Sequence, residues 1–214
     1  MTRKALAQVA GLSYFIIFFA AIFANFLAVE AITKDPLGTL EHSNMLVRFG
    51  IIAFIVTTAF DVVVAWALNE LFKEDRLSGL STLFRMMHAA MMGVAVAFLV
   101  GVLKSTSNIE ILRQVELFNT VWLIGLFFFG IHLMLLGKIL KRPRTIALTL
   151  VIAGFMYAGD TAAHFLLQDY NVYSSLFLAI VAIPSIIGEM SLAVWLLLKG
   201  GQENNGKKRE WMPG

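Results

Sequence analysis

Six long apolar runs divide the chain, and short polar breaks separate them. The runs cover residues 9–33, 46–72, 80–103, 115–140, 146–168 and 173–199. Each exceeds the roughly 18 residues that cross about 30 Å of hydrocarbon as an α-helix. The breaks carry turn and polar chemistry: Lys34-Asp35-Pro36-Leu37-Gly38, Lys73-Glu74-Asp75-Arg76, Lys104 to Gln114, Lys141-Arg142-Pro143-Arg144, and Gln168 to Asn171. The pattern predicts an all-α fold, an integral membrane six-helix transmembrane bundle. Short loops make residues 1–199 one domain in which helices adjacent in sequence pack antiparallel. Residues 200–214, rich in Gly, Asn and Lys, read as a flexible cytoplasmic tail.

Composition agrees with the pattern. Of 214 residues, 59% are hydrophobic and 14% charged, against about a quarter charged in a soluble domain. The lipid bilayer is the expected solvent. There are no cysteines, which excludes disulfides, iron–sulfur clusters, thiolate zinc sites and cysteine nucleophiles. The formal charge is +3 and its basic residues sit in short loops, so nucleic acid is not an expected partner. The first run is too long for a signal-peptide core and reads as a retained span.

Sidedness follows from the basic residues. With both ends on one face, that face collects Arg3, Lys4, Lys73, Arg76, Lys138, Lys141, Arg142, Arg144, Lys199, Lys207, Lys208 and Arg209. The other face has Lys34, Arg48, Lys104 and Arg113. The positive-inside rule therefore puts both termini in the cytoplasm. Small residues Ala20, Ala24 and Ala28 recur every four positions in the first span and predict close helix packing, with a homo-oligomer contact as the alternative. The many aromatics read as packing and lipid-facing residues. Trp66, Trp122 and Trp195 are expected toward span ends, as in an aromatic belt.

Ionisable residues inside the spans carry the candidate chemistry. At 1.5 Å per residue, Asp61 and Glu189 lie about 15 Å, His88 and His132 about 10 Å, and Arg85 about 6 Å from the cytoplasmic end. These five come from four spans. A charge at a span centre costs roughly 2.5–3.5 kcal/mol on the lenient insertion scale, so such groups face a partner or a wet cavity. One reading is a structural network in which Asp61 pairs with Arg85 and Glu189 accepts from a histidine. Another is a site that binds or moves a small ligand or ion, coupled to protons at Asp61 and Glu189. Asp61 and Asp160, mid-way through spans two and five, form a weak echo of inverted repeats, which suits transport.

Two cofactor readings stand beside these. His88 and His132 have the depth of two axial haem ligands. Asp160 and His164, one helical turn apart in the outer leaflet, have the spacing of two metal ligands, with His42 as the remaining histidine. A third ligand is missing, and an outer-leaflet hydrogen bond is the simpler reading of the pair. No P-loop, His-Glu-x-x-His, Gly-x-Ser-x-Gly or dinucleotide fingerprint occurs. No catalytic residue or metal site is therefore assigned. At the outer surface, Glu30 and Arg48 are expected to pair across the first hairpin. A structural or sensory partner protein is a further alternative.

Several stretches resemble the bacterial domain-of-unknown-function 4386 family of six-span membrane proteins, over nearly the whole chain. The marks are Gly11-Leu12-Ser13-Tyr14, Val47-Arg48-Phe49-Gly50, Phe60-Asp61-Val62, Leu83-Phe84-Arg85, Phe128-Phe129-Gly130-Ile131-His132-Leu133, Tyr157 with Asp160, Gly188-Glu189 and Trp195-Leu196-Leu197-Leu198-Lys199-Gly200. The resemblance implies polar residues at Arg48, Asp61, Arg85, His132, Asp160 and Glu189. His88 stands where glutamine is common, which speaks against an obligatory histidine pair. A multi-pass protein of a bacterial or archaeal cytoplasmic membrane is implied, and no particular activity.

Overall fold

The computed structural model describes residues 1–200, so the expected tail lies outside the described residues apart from Gly200. The first span is α1 (Arg3–Phe23), a π-helical segment (Ala24–Val29) and α2 (Glu30–Lys34) in one continuous rod. A short α3 (Pro36–His42) follows where a turn was expected. Pro36 supplies a fixed φ at its first position, and Asp35 caps it by accepting from the Gly38 N–H at 3.2 Å. The remaining spans are α4 (Asn44–Leu71), α5 (Ser78–Val102), α6 (Asn108–Ile139), α7 (Arg144–Leu166) and α8 (Tyr170–Leu198). All six rods are long and apolar enough to cross a membrane. The protein is a polytopic membrane protein.

The fourth span begins seven residues before its apolar run. Hydropathy ends at the membrane surface, but backbone hydrogen bonding need not. Ser107 accepts from the Glu110 N–H at 3.3 Å, and Glu110 accepts from the Thr106 N–H at 3.0 Å. This reciprocal cap stabilises two polar turns ahead of the hydrocarbon. It also moves Trp122 to the middle of α6. There Trp122 packs edge-on against Phe54 and Phe118, with ring centroids 5.0 and 5.3 Å away. The belt position expected for Trp122 is not where it sits.

The spans form a ring in chain order, and α1 closes it against α8. Glycines set the closest approaches. A Cβ on Gly130 would come within 2.6 Å of the Gly154 carbonyl, so α6 and α7 meet backbone to backbone. A Cβ on Gly11 would lie 2.8 Å from Leu197 Cγ and 2.9 Å from the Ala193 carbonyl, which pins α1 to α8 near the face that holds the termini. Ala24 and Ala28 are buried, and a Cβ on Gly50 of α4 would collide with Ala28. Most of the small-residue stripe is thus used inside the chain. Ala20 remains partly uncovered.

Candidate functional site

Helical spacing brings one polar face of α5 into the ring. Ser81, Arg85 and His88 are all buried there, with Arg85 only 1% exposed. Such a guanidinium needs acceptors on every side. Its Nη2 donates to Asp61 Oδ1 of α4 at 2.5 Å. Its Nη1 reaches Tyr14 Oη of α1 at 2.8 Å and His132 Nε2 of α6 at 3.2 Å. The guanidinium carbon also lies 4.8 Å from the Tyr14 ring centre and 5.2 Å from that of Phe129, close enough for cation–π attraction. Four spans are tied through one side chain.

The arginine sets the histidine's tautomer. A guanidinium only donates, so His132 Nε2 is the acceptor and the ring proton sits on Nδ1. That proton finds the Ser81 carbonyl at 3.0 Å, with Ser81 Oγ 2.9 Å away. His88 Nε2 faces the other Asp61 oxygen at 3.4 Å, and a Cβ on Gly125 of α6 would lie 3.3 Å from its Nδ1. Among the described residues, His88 Nδ1 and Arg85 Nε are buried without hydrogen-bond partners. Both nitrogens of His132 are thus engaged, and Nε2 of His88 turns to a carboxylate. This donor set does not suit bis-histidine haem, because His132 would have to abandon Arg85 or Ser81 to bind iron.

Beside the network lies a cavity of about 290 Å³ to which all six spans contribute. Its floor, toward the face of the termini, is polar: Tyr14, Asp61, Arg85, His88, Tyr157, Ser185 and Glu189. Its upper walls are mostly apolar, with Phe18, Ile22, Phe26, Met92, Trp122 and Ile186 among them, and carry Asn25 and Thr57, whose side chains donate to the Ala21 and Ala53 carbonyls of their own helices. Asp61 is 2% exposed; Glu189 is only half-buried. Tyr157 shares the cavity with Glu189 and is its polar neighbour, not the histidine the sequence suggested. Among the described residues no ion pair reaches Glu189. Of the five expected residues, Asp61, Arg85, His88 and His132 form the closed part of the cluster. Glu189 faces the open part.

The wall between α1 and α8 is incomplete. Its cavity-lining residues Ile22, Phe26 and Ile186 also face outward, at 39%, 60% and 49% exposed. The cavity thus opens sideways, at the depth of the hydrocarbon. The two helices flanking this opening both depart from regular α geometry at its level. The α1 rod is π-helical over Ala24–Val29, where Asn25 Nδ2 donates to the Ala21 carbonyl at 3.1 Å. Pro184 in α8 has no N–H to give to the Ile180 carbonyl. Such interruptions concentrate at functional positions in membrane helices.

Other expected residues lie elsewhere. Asp160 accepts from Tyr170 Oη at 2.6 Å, and the exposed His164 ring packs on the Tyr170 ring at 4.6 Å. Tyr170 stands just ahead of the apolar window that begins at Val172. Burial, then the hydrogen bond to Asp160 and its charge, push this phenol above its ordinary range, so its hydroxyl remains a donor. His42 is exposed beside Glu41, and no group of three or more potential metal ligands occurs among the described residues. The Glu30–Arg48 pair does not form. Glu30 instead takes Lys34 at 2.6 Å, and Arg48 Nε takes Asn44 at 2.6 Å. Both alternatives are one turn away on the same helix, while the cross-hairpin partner stands beyond α3.

Sequence reasoning passed over Tyr14 and Ser81 as site residues. Tyr14 carries no formal charge and lies in the first third of its span; its signal was Gly11-Leu12-Ser13-Tyr14. Ser81 precedes Arg85 by one helical turn, and that spacing was its only signal.

Residues 9–200 match the family model described as "Domain of unknown function (DUF4386)". A relative from Archaeoglobus fulgidus, described as an uncharacterized protein, is 27% identical over 158 residues, covering 71% of this chain and 84% of its own. No solved structure matches.

Proposed function

This chain belongs to the DUF4386 family, and we propose that it binds a small ligand or ion in its central cavity and exchanges it against a proton. The observation that carries the reading is a cavity reaching a charged floor inside the membrane. A network serving structure alone would not border a cavity, whereas Asp61, Arg85 and Glu189 all line this one. Glu189 is the exchange site, because its carboxyl faces the cavity. Asp61 instead holds Arg85, and Arg85 holds Tyr14 and His132. We place both termini in the cytoplasm on the basic-residue bias, and the protein in a prokaryotic cytoplasmic membrane.

Infrared difference spectroscopy of the reconstituted protein between acid and alkaline buffer tests this. Of the carboxyl C=O bands that titrate reversibly in the natural protein, one is expected to be missing in Glu189→Gln while those of the other acidic residues remain. A set of titrating bands left unchanged by Glu189→Gln overturns the exchange reading.

A further inference from the structure

The chemistry of the floor and the position of the opening narrow the ligand class. Asp61 and Arg85 cancel each other across 2.5 Å. His132 is the neutral Nδ1–H tautomer, and His88 Nδ1 has no hydrogen-bond partner. Tyr14 and Tyr157 complete the groups facing Glu189, which leaves the cavity with one acidic group more than basic ones. The ligand that complements it carries one positive charge. Aromatic rings also line the cavity: Tyr14 and Phe129, which pack on Arg85, and Tyr157, with Phe18 and Trp122 above. A carboxylate among aromatic rings is the chemistry that recognises an ammonium head.

The walls above the floor are apolar except for Asn25 and Thr57, whose side chains bond to their own helices, and they open to the hydrocarbon between Phe26 of α1 and Ile186 of α8. A head bound at Glu189 can therefore trail an aliphatic tail into the bilayer. The cavity need hold only the head and the first part of that tail, which its volume of about 290 Å³ accommodates. We infer that the ligand is a cationic amphiphile, an amine or quaternary ammonium on an aliphatic chain, which moves between the lipid and Glu189 through the gap between α1 and α8. The inference rests on the cavity-binding reading above. A proton on Glu189 removes the surplus charge, so protons and the amphiphile compete.

The test is equilibrium binding of radiolabelled decyltrimethylammonium to the full chain in lipid nanodiscs, corrected with empty nanodiscs. Decanesulfonate serves as the anionic counterpart of equal chain length. Saturable cation binding is expected, weakening as the pH falls, with at least a tenfold loss in Glu189→Gln. Ile186→Trp, which narrows the gap without touching the floor, should slow both association and dissociation. Saturable decanesulfonate binding with no cation binding overturns the inference while leaving a ligand-binding cavity in place. Cation binding unchanged by Glu189→Gln also overturns it. Neither probe binding overturns it as well, and the infrared titration of Glu189 then decides separately whether the proton-exchange reading survives.

Discussion

Removing one member of the Asp61–Arg85 pair should cost far more than removing both. In Arg85→Met, the Asp61 carboxylate keeps only His88, at 3.4 Å, and Tyr14 and His132 lose their donor. Breaking a buried ion pair from one side costs about 3–5 kcal/mol, or about two to four powers of ten in the unfolding constant. Asp61→Leu leaves the guanidinium unpaired and belongs in the same range. Independent effects would sum to about 6–10 kcal/mol. In Asp61→Leu/Arg85→Met no charge is stranded. What remains is mainly the orphaned His132 acceptor, at about 1–3 kcal/mol. The expected coupling is several kcal/mol, well above the ~0.6 kcal/mol average of an interhelical hydrogen bond in a membrane protein. Equilibrium unfolding of the four proteins in mixed micelles measures it. Costs that add to within about 0.5 kcal/mol would refute the claim that each member of this buried pair compensates the other.

Two further predictions concern packing and the outer surface. Gly154→Ala drives a Cβ into the Gly130 carbonyl and within 2.9 Å of the Met134 nitrogen, so about 1–3 kcal/mol should be lost. Gly159→Ala, with nothing within 4 Å, should be neutral or slightly stabilising; equal melting shifts for the two would contradict the backbone contact. Tyr170→Phe removes the bond to Asp160 at an expected cost of about 1 kcal/mol. Because the folded phenol is raised above its ordinary 10.0, that contribution is full below this pH and fades above it. A natural protein whose margin over Tyr170→Phe keeps its full size well above pH 10.0 would contradict this.

The six spans were legible because a membrane helix must satisfy its backbone internally and present about twenty apolar residues. The Asp61–Arg85 pair was legible for a related reason: opposite charges at similar depths on neighbouring spans have few other partners. Glu189 was placed at the right depth, but its neighbour is Tyr157, and no depth argument can choose between uncharged donors. Trp122 was misplaced with the start of α6, because a helix capped by Ser107 and Glu110 outruns its apolar stretch. Glu30 and Arg48 show the opposite limit. They are close in a diagram of the hairpin, yet each has a partner one turn away whose approach needs no loop to cooperate. The side opening could not be read at all, since it depends on how far α1 and α8 separate above Gly11.

The ring also has consequences for biogenesis. Around it, every neighbouring pair of spans is adjacent in sequence except α1 and α8, which meet across nearly the whole chain. Spans leaving the ribosome in order can settle pairwise as they emerge, but this seam must wait for the final helix. Until α8 arrives, Tyr14 and Arg85 border an unfinished barrel stave facing lipid. A nascent chain stalled before α8 would therefore display a half-sheltered guanidinium within the bilayer, a feature that membrane quality control can recognise. The seam proposed to admit a ligand is the last one assembly closes.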